Sequence, residues 1–275
     1  MMGERVRWLV GVAVVASFAA PAAAQQRPLL TEDPEPVGEG LVLLEAGLDH
    51  AWGQPFVYSG LEGNLLRGPL LGFSFGMGAM AEIQFDGISR SRLRITDRVD
   101  APLSDMLRAE GDTTSGYEDF VIGAKVRLVS EGARRPAFAL RFATRLPMAT
   151  NETGLGPDTM DFFQSVLVGK TVQSVRVVAN IGVGILSDPI RGDRQDDVVT
   201  YGLSLARALV EGTEVVAEVN GQAGDRTRGR MTFGLRYTRG SVRLDSGLFA
   251  GFTSKDPRVG LTAGLTWVFS SPLGS

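Results

Sequence analysis

Val259-Gly260-Leu261-Thr262-Ala263-Gly264-Leu265-Thr266-Trp267-Val268-Phe269 decides the fold. Every second residue, Val259, Leu261, Ala263, Leu265, Trp267 and Phe269, is apolar, while Gly260, Thr262, Gly264 and Thr266 between them are small or polar. A period of two sends alternate side chains to opposite faces of an extended strand, so this stretch is a strand with one apolar face.

The same alternation recurs upstream. Phe120, Ile122, Ala124, Val126 and Leu128 oppose Asp119, Val121, Gly123, Lys125 and Arg127; Phe138, Leu140, Phe142 and Leu146 oppose Arg141 and Arg145. Val175, Val177, Ala179, Ile181, Val183 and Ile185 oppose Arg176 and Asn180, and Ala81, Ile83 and Phe85 oppose Glu82, Gln84 and Asp86. Further columns start at Val42, Val199, Val215 (against Glu214, Glu218 and Asn220), Met231 (against Arg230 and Arg236) and Val242 (against Arg243 and Asp245). With weaker strands near Leu61–Phe75 and Phe162–Lys170, the expectation is about twelve strands.

Short links at 77–80, 130–136, 171–174, 209–213 and 238–241 alternate with longer polar links at 50–59, 90–115, 147–161, 187–197, 223–229 and 251–258. An even strand number, an apolar face on every strand and this alternation of links are what a closed transmembrane antiparallel β-barrel requires, with short turns in the periplasm and long loops outside. A soluble sandwich or lipocalin-like barrel also alternates. Twelve strands is many for a lipocalin, and aromatic residues near strand ends (Trp52, Tyr58, Tyr117, Tyr201, Tyr237, Trp267) suit interfacial girdles.

Residues 1–24 predict an export signal: Arg5 and Arg7, an apolar stretch from Leu9 to Ala20, and Ala22-Ala23-Ala24 before Gln25. The predicted organisation is signal 1–24, a periplasmic segment 25–39, the barrel 40–269 and a tail 270–275, in the outer membrane of a Gram-negative bacterium.

Composition narrows the chemistry. The 275 residues contain no Cys and one His, so disulfides, thiolate metal centres and cysteine nucleophiles are excluded. A formal charge of −3 argues against nucleic acid as a partner. Gly, at 35 residues, is in excess, as curved strands and turns allow. No cofactor or metal is expected: Asp188, Asp193, Asp196 and Asp197 lack the spacing of a calcium loop.

Assigning the polar face to the lumen gives a pore-lining set of Glu82, Asp86, Asp119, Lys125, Arg127, Arg141, Arg145, Arg176, Asn180, Glu218, Arg230, Arg236 and Arg243. Opposed charges across a pore select solutes; in a narrow lumen they equally brace the wall. Arg90, Arg92, Arg94 and Arg98 lie in the longest link, which could touch lipopolysaccharide phosphates or fold inward to constrict the pore. A surface esterase would need His50 as base, beside Ser59 or Ser74 as nucleophile.

A family resemblance joins these strands. Gly116-Tyr117-Glu118-Asp119, Gly123-Ala124-Lys125-Val126-Arg127-Leu128, Arg141-Phe142-Ala143-Thr144-Arg145-Leu146-Pro147, Ala179-Asn180-Ile181-Gly182, Gly234-Leu235-Arg236-Tyr237 and Gly264-Leu265-Thr266-Trp267-Val268-Phe269 occur in an order that resembles the transporter-like outer-membrane barrels of the "MetA-pathway of phenol degradation" family. The sequence departs from that pattern at Met148-Ala149-Thr150 and in the six residues after Phe269. The resemblance implies a passive channel for small hydrophobic or aromatic solutes, inserted by the barrel-assembly machinery. The alternatives are a structural or adhesion-like barrel with a plugged lumen and the esterase.

Overall fold

The computed structural model describes residues 27–272; the predicted signal 1–24, Gln25 and Gln26 of the predicted periplasmic segment, and 273–275 of the predicted tail lie outside them. The strands are β1 (Leu41–Phe56), β2 (Leu61–Gly76), β3 (Ala81–Ile88), β4 (Arg90–Arg98), β5 (Thr113–Tyr117), β6 (Phe120–Val129) and β7 (Ala137–Leu146). There follow β8 (Asp161–Val172), β9 (Val175–Ser187), β10 (Gln195–Val210), β11 (Thr213–Gly224), β12 (Arg228–Arg239), β13 (Val242–Gly251) and β14 (Val259–Ser270).

All pairings are antiparallel. The sheet closes where β1 meets β14 in unbroken register from Leu41↔Ser270 to Trp52↔Val259. The fourteen strands make twelve staves. β3 and β4 both pair with β2 and form one stave broken at Ser89; β5 and β6 form the next, broken at Glu118–Asp119. The two breaks face one another at Gly87, whose φ of +84° and close approach to the Asp119 carbonyl (2.2 Å from where a Cβ would sit) leave room only for glycine.

The apolar columns face outward. Ile181 and Val183 on β9, Leu203 on β10, Phe233 and Leu235 on β12, and Leu248 on β13 are each half or more exposed. Aqueous solvent would penalise such a continuous belt, whereas lipid does not. The other face is inside, where Glu82, Lys125, Glu218, Thr232, Asp245 and Thr266 are buried.

Two predicted links are shorter than expected. The link at 50–59 is reduced to 57–60, because β1 continues to Phe56. The link at 90–115 contains β4 and β5, leaving 99–112. In this part of the barrel polarity inverts: Arg90, Arg92 and Arg94 point outward and exposed, while Leu93 joins Leu61, Leu65, Ala51 and Phe249 in a buried cluster. This end stands above the apolar belt, so water is outside and the charges follow it.

Arginine at the centre of the belt must take a guanidinium into hydrocarbon. Phe233→Arg is expected to lower the unfolding free energy in lipid vesicles by about 2–4 kcal/mol, with Phe233→Leu changing it far less; denaturant titration followed by tryptophan fluorescence reads the difference.

Candidate functional site: the occupied lumen

Residues 27–40 do not hang below the barrel, as the predicted periplasmic segment 25–39 would. They run inside it. As residue numbers fall from 37 to 27 the segment follows the inner wall, meeting β3, β6, β9, β11, β12 and β14 in turn.

An irregular segment at membrane depth has backbone donors that no ladder satisfies, so the wall must accept from them. The Val37 amide donates to Glu82 (2.6 Å), the Glu32 amide to Asn180 (2.7 Å), and the Leu30 and Thr31 amides to one oxygen of Glu218 (2.8 and 2.5 Å). Asn180 in turn donates to the Glu32 carbonyl (2.9 Å), and the Arg27 amide donates to Glu45 (3.1 Å).

The segment's acids meet the wall's cations. Lys125, fully buried, lies 3.4 Å from Glu32 and 3.0 Å from Glu82, and donates to the Asp33 carbonyl (2.9 Å). Arg141 pairs with Glu32 at 3.0 Å and donates to Gln84 (2.7 Å), with Asp86 3.9 Å away. Arg176 grips Asp33 through two bonds (2.9 and 2.7 Å), the bidentate geometry that guanidinium favours, and Arg127 pairs with Glu35. At the segment's start Arg27 reaches Asp245 (3.6 Å), Asp49 (4.0 Å) and Thr262 (2.8 Å), and its carbonyl accepts from Arg236 (2.8 Å).

Small wall residues make this fit possible. A Cβ on Gly47 would stand 2.3 Å from the Arg27 guanidinium carbon, and one on Gly76 only 1.6 Å from the Gly38 carbonyl oxygen. Part of the glycine excess therefore clears a track for the segment.

All thirteen residues assigned to the lumen lie on the inner side, but most do not line open space. Glu82, Lys125, Arg127, Arg141, Arg176, Asn180, Glu218 and Arg236 hold the segment, and Asp86 stands behind Arg141. Asp119 and Arg145 belong to the loop end, where Arg145 pairs with Asp161 and approaches Asp119 (3.7 Å). Arg243 pairs with Glu214 (3.4 Å) nearer the turn end. Arg230 lies over the Phe249 ring, 4.5 Å from its centre. The sequence missed Glu32, Asp33 and Glu35, because a short acidic, proline-containing stretch carries no periodicity.

Two cavities flank the segment. The one at the loop end, about 600 Å³, is lined by Phe56, Tyr58, Arg67, Phe163, Leu186 and Arg228 among others. Links 99–112 and 147–160 roof one side of it, joined to each other where the Arg108 amide donates to the Glu152 carbonyl (3.0 Å); the Ser59 hydroxyl, in the 57–60 link, donates to the Gly154 carbonyl (2.8 Å). Burial pushes the Tyr58 phenol up, so it meets this cavity as a neutral donor. The second cavity, about 370 Å³ and nearer the turn end, is bounded by Leu29, Thr31, Asp33, Arg176, Arg236 and Arg243.

The other candidates resolve differently. His50 meets Trp52 edge to face (centroids 4.4 Å apart, planes at 79°) on the outer face, whereas Ser74 is on the inner face of β2 and Ser59 is tied to the loop carbonyls, so the geometry joins His50 to neither serine. In the acidic loop Asp188 accepts the Ile190 and Arg191 amides, which hold its carboxyl below the usual range, and Asp196 pairs with Arg226 (2.6 Å). Among the described residues no cluster of three acidic or imidazole groups could hold a metal ion.

No family model matches the chain, and no curated protein matches it. Solved structures do. An outer membrane channel from Pseudomonas putida F1 superposes with a TM-score of 0.60 at 14% identity, over 86% of this chain and 98% of that one. The KdgM porin superposes with a TM-score of 0.50 at 7% identity, over 82% and 99%. At these identities the likeness shows the fold, an outer-membrane type of β-barrel, and does not separate the phenol-degradation family from other barrels.

Removing one partner of a buried ion cluster strands the others. Lys125→Met leaves Glu32 and Glu82 facing each other and is expected to cost about 3–5 kcal/mol in a guanidinium titration. Hydrogen exchange at the Glu32 and Val37 amides should rise at the same time, as the segment loosens before the barrel does.

Proposed function

We propose that the protein is a passive channel of the Gram-negative outer membrane for small hydrophobic or aromatic solutes, with residues 27–40 as its constriction. The observation that carries this reading is the pair of cavities on either side of the segment within one closed wall. A solid structural barrel has no need of either. The outer cavity has the size of a small-molecule site, and its lining sets Phe56, Tyr58, Phe163 and several aliphatic side chains among charged groups of both signs. The motif resemblance supports an aromatic solute, and the barrel likeness supports the membrane.

In this orientation the short turns are periplasmic and the long links face outward. Arg90, Arg92 and Arg94 then form an outward column at the cell surface, where lipopolysaccharide phosphates would meet them.

A second reading, a structural barrel with a plugged lumen, is favoured by the same segment, since so many wall residues grip it. Planar-bilayer recording separates the two. A channel gives small conductance steps, smaller than those of porins with 16–18 strands, and liposomes carrying it admit small solutes. A silent bilayer together with impermeable liposomes establishes the plugged barrel.

A further inference from the structure

The lumen cations are not all alike. Lys125, Arg127, Arg141, Arg145, Arg176, Arg226 and Arg243 each have a carboxylate within 4.0 Å. Arg228 and Arg230, two residues apart on the inner face of β12, do not. Among the described residues neither guanidinium has a hydrogen bond or an ion pair, and Arg230 Nε is buried without an acceptor. Arg228 lines the outer cavity, and Arg230 lies one step deeper, over Phe249.

Other charges face them. Arg67 from β2 acts on both and Arg145 on Arg228, each adding positive potential. Asp256 and the Tyr58 phenol face Arg228; Glu218, Asp49 and Arg27 face Arg230. Two of the acids are engaged elsewhere, Asp256 by the Gly229 amide (2.8 Å) and Thr253, and Glu218 by the Leu30 and Thr31 amides, while Asp49 has, among the described residues, only a 4.0 Å approach of Arg27.

A guanidinium drawn out of bulk water without an acceptor is costly, and it offers a forked pair of donors to a carboxylate. The surrounding acids leave only a small positive surplus, which suits a monoanion better than a phosphate dianion. The same cavity presents Phe56, Tyr58, Phe163 and Leu186 to whatever the arginines hold.

We infer that Arg228, with Arg230 one step deeper adding its charge, forms an anion site in the outer cavity, and that the solute taken there is a small aromatic carboxylate, its charge toward the arginines and its ring against Phe56, Tyr58, Phe163 and Leu186. This rests on the channel reading for its biological sense, but the binding step can be measured separately.

The test compares benzoate with benzyl alcohol, a neutral molecule with the same ring, as ligands of the detergent-solubilised protein in calorimetry or ligand-observed NMR. Wild type is expected to bind benzoate at least about tenfold more tightly, a difference of about 1.4 kcal/mol. The double variant Arg228→Gln/Arg230→Gln loses that preference while its affinity for benzyl alcohol is unchanged. Arg228→Lys/Arg230→Lys keeps part of it, and Arg258→Gln, on the exposed rim, keeps all of it. Heat-modifiable gel migration reports whether each variant is folded, and if the glutamine pair does not fold, the wild-type comparison and the lysine pair decide. Equal affinity of wild type for the two ligands, or a benzoate preference that survives in the folded glutamine variant, overturns the proposal. Benzoate binding in a protein that conducts nothing would instead remove the channel reading and leave the anion site standing.

Discussion

Hydrocarbon offers a peptide group nothing to bond to, and the rest of this molecule follows from that constraint. Each strand must be paired on both edges, so the sheet has to close, which it does along the unbroken register between β1 and β14. Closure gives every stave a lipid face and a lumen face, and the period-two sequence supplies Leu, Val, Ile and Phe to one and charge or glycine to the other. The same rule then applies to the segment inside. Residues 27–40 form no ladder, so their amides are met one by one by Glu82, Asn180, Glu218 and Glu45.

The charges of the wall and the segment are complementary. Lys125, Arg141 and Arg176 would be poor neighbours in a narrow lumen if they faced only each other; Glu32 and Asp33 turn that surplus into a cross-braced cluster. Buried ion clusters of this kind contribute little net stability compared with an apolar filling, but they are severe on any arrangement that separates the partners. The cluster therefore acts chiefly on position. It holds a short irregular segment at mid-barrel, with water-accessible space above and below it.

Much of the wall was legible in the sequence. Along β6, β7, β9, β11, β13 and β14 an uninterrupted alternation places each side chain on its observed face. It was faint on β2 because the irregularity around Gly68-Pro69 shifts the phase, so Leu61, Leu65 and Arg67 face inward above it and Ser74 below it. It misled across 90–115, where Arg90, Arg92 and Arg94 resemble a solvated loop because this end of the stave stands in water. The path of the segment could not be read at all. Its contacts, such as Glu32 with Lys125 and Asn180, join positions 93 and 148 residues apart, and nothing local in an acidic stretch with prolines reports them. One indirect signal existed: a lumen face with far more arginine than acid calls for acids from elsewhere. Arg228 and Arg230 remain the part of that surplus which the segment does not meet.

The absence of native cysteine makes the central claim, that residues 27–40 lie inside the barrel in the membrane, directly measurable. A Cβ on Gly202 would stand 3.4 Å from the Thr31 Cβ, close to disulfide geometry. In the double variant Thr31→Cys/Gly202→Cys, oxidation in intact outer membranes should join the two positions nearly completely, giving a linked peptide pair on digestion and mass spectrometry. Thiols that stay reduced under the same oxidant in a folded barrel, with the cysteine at position 31 open to a reagent supplied from the periplasmic side, would contradict the account.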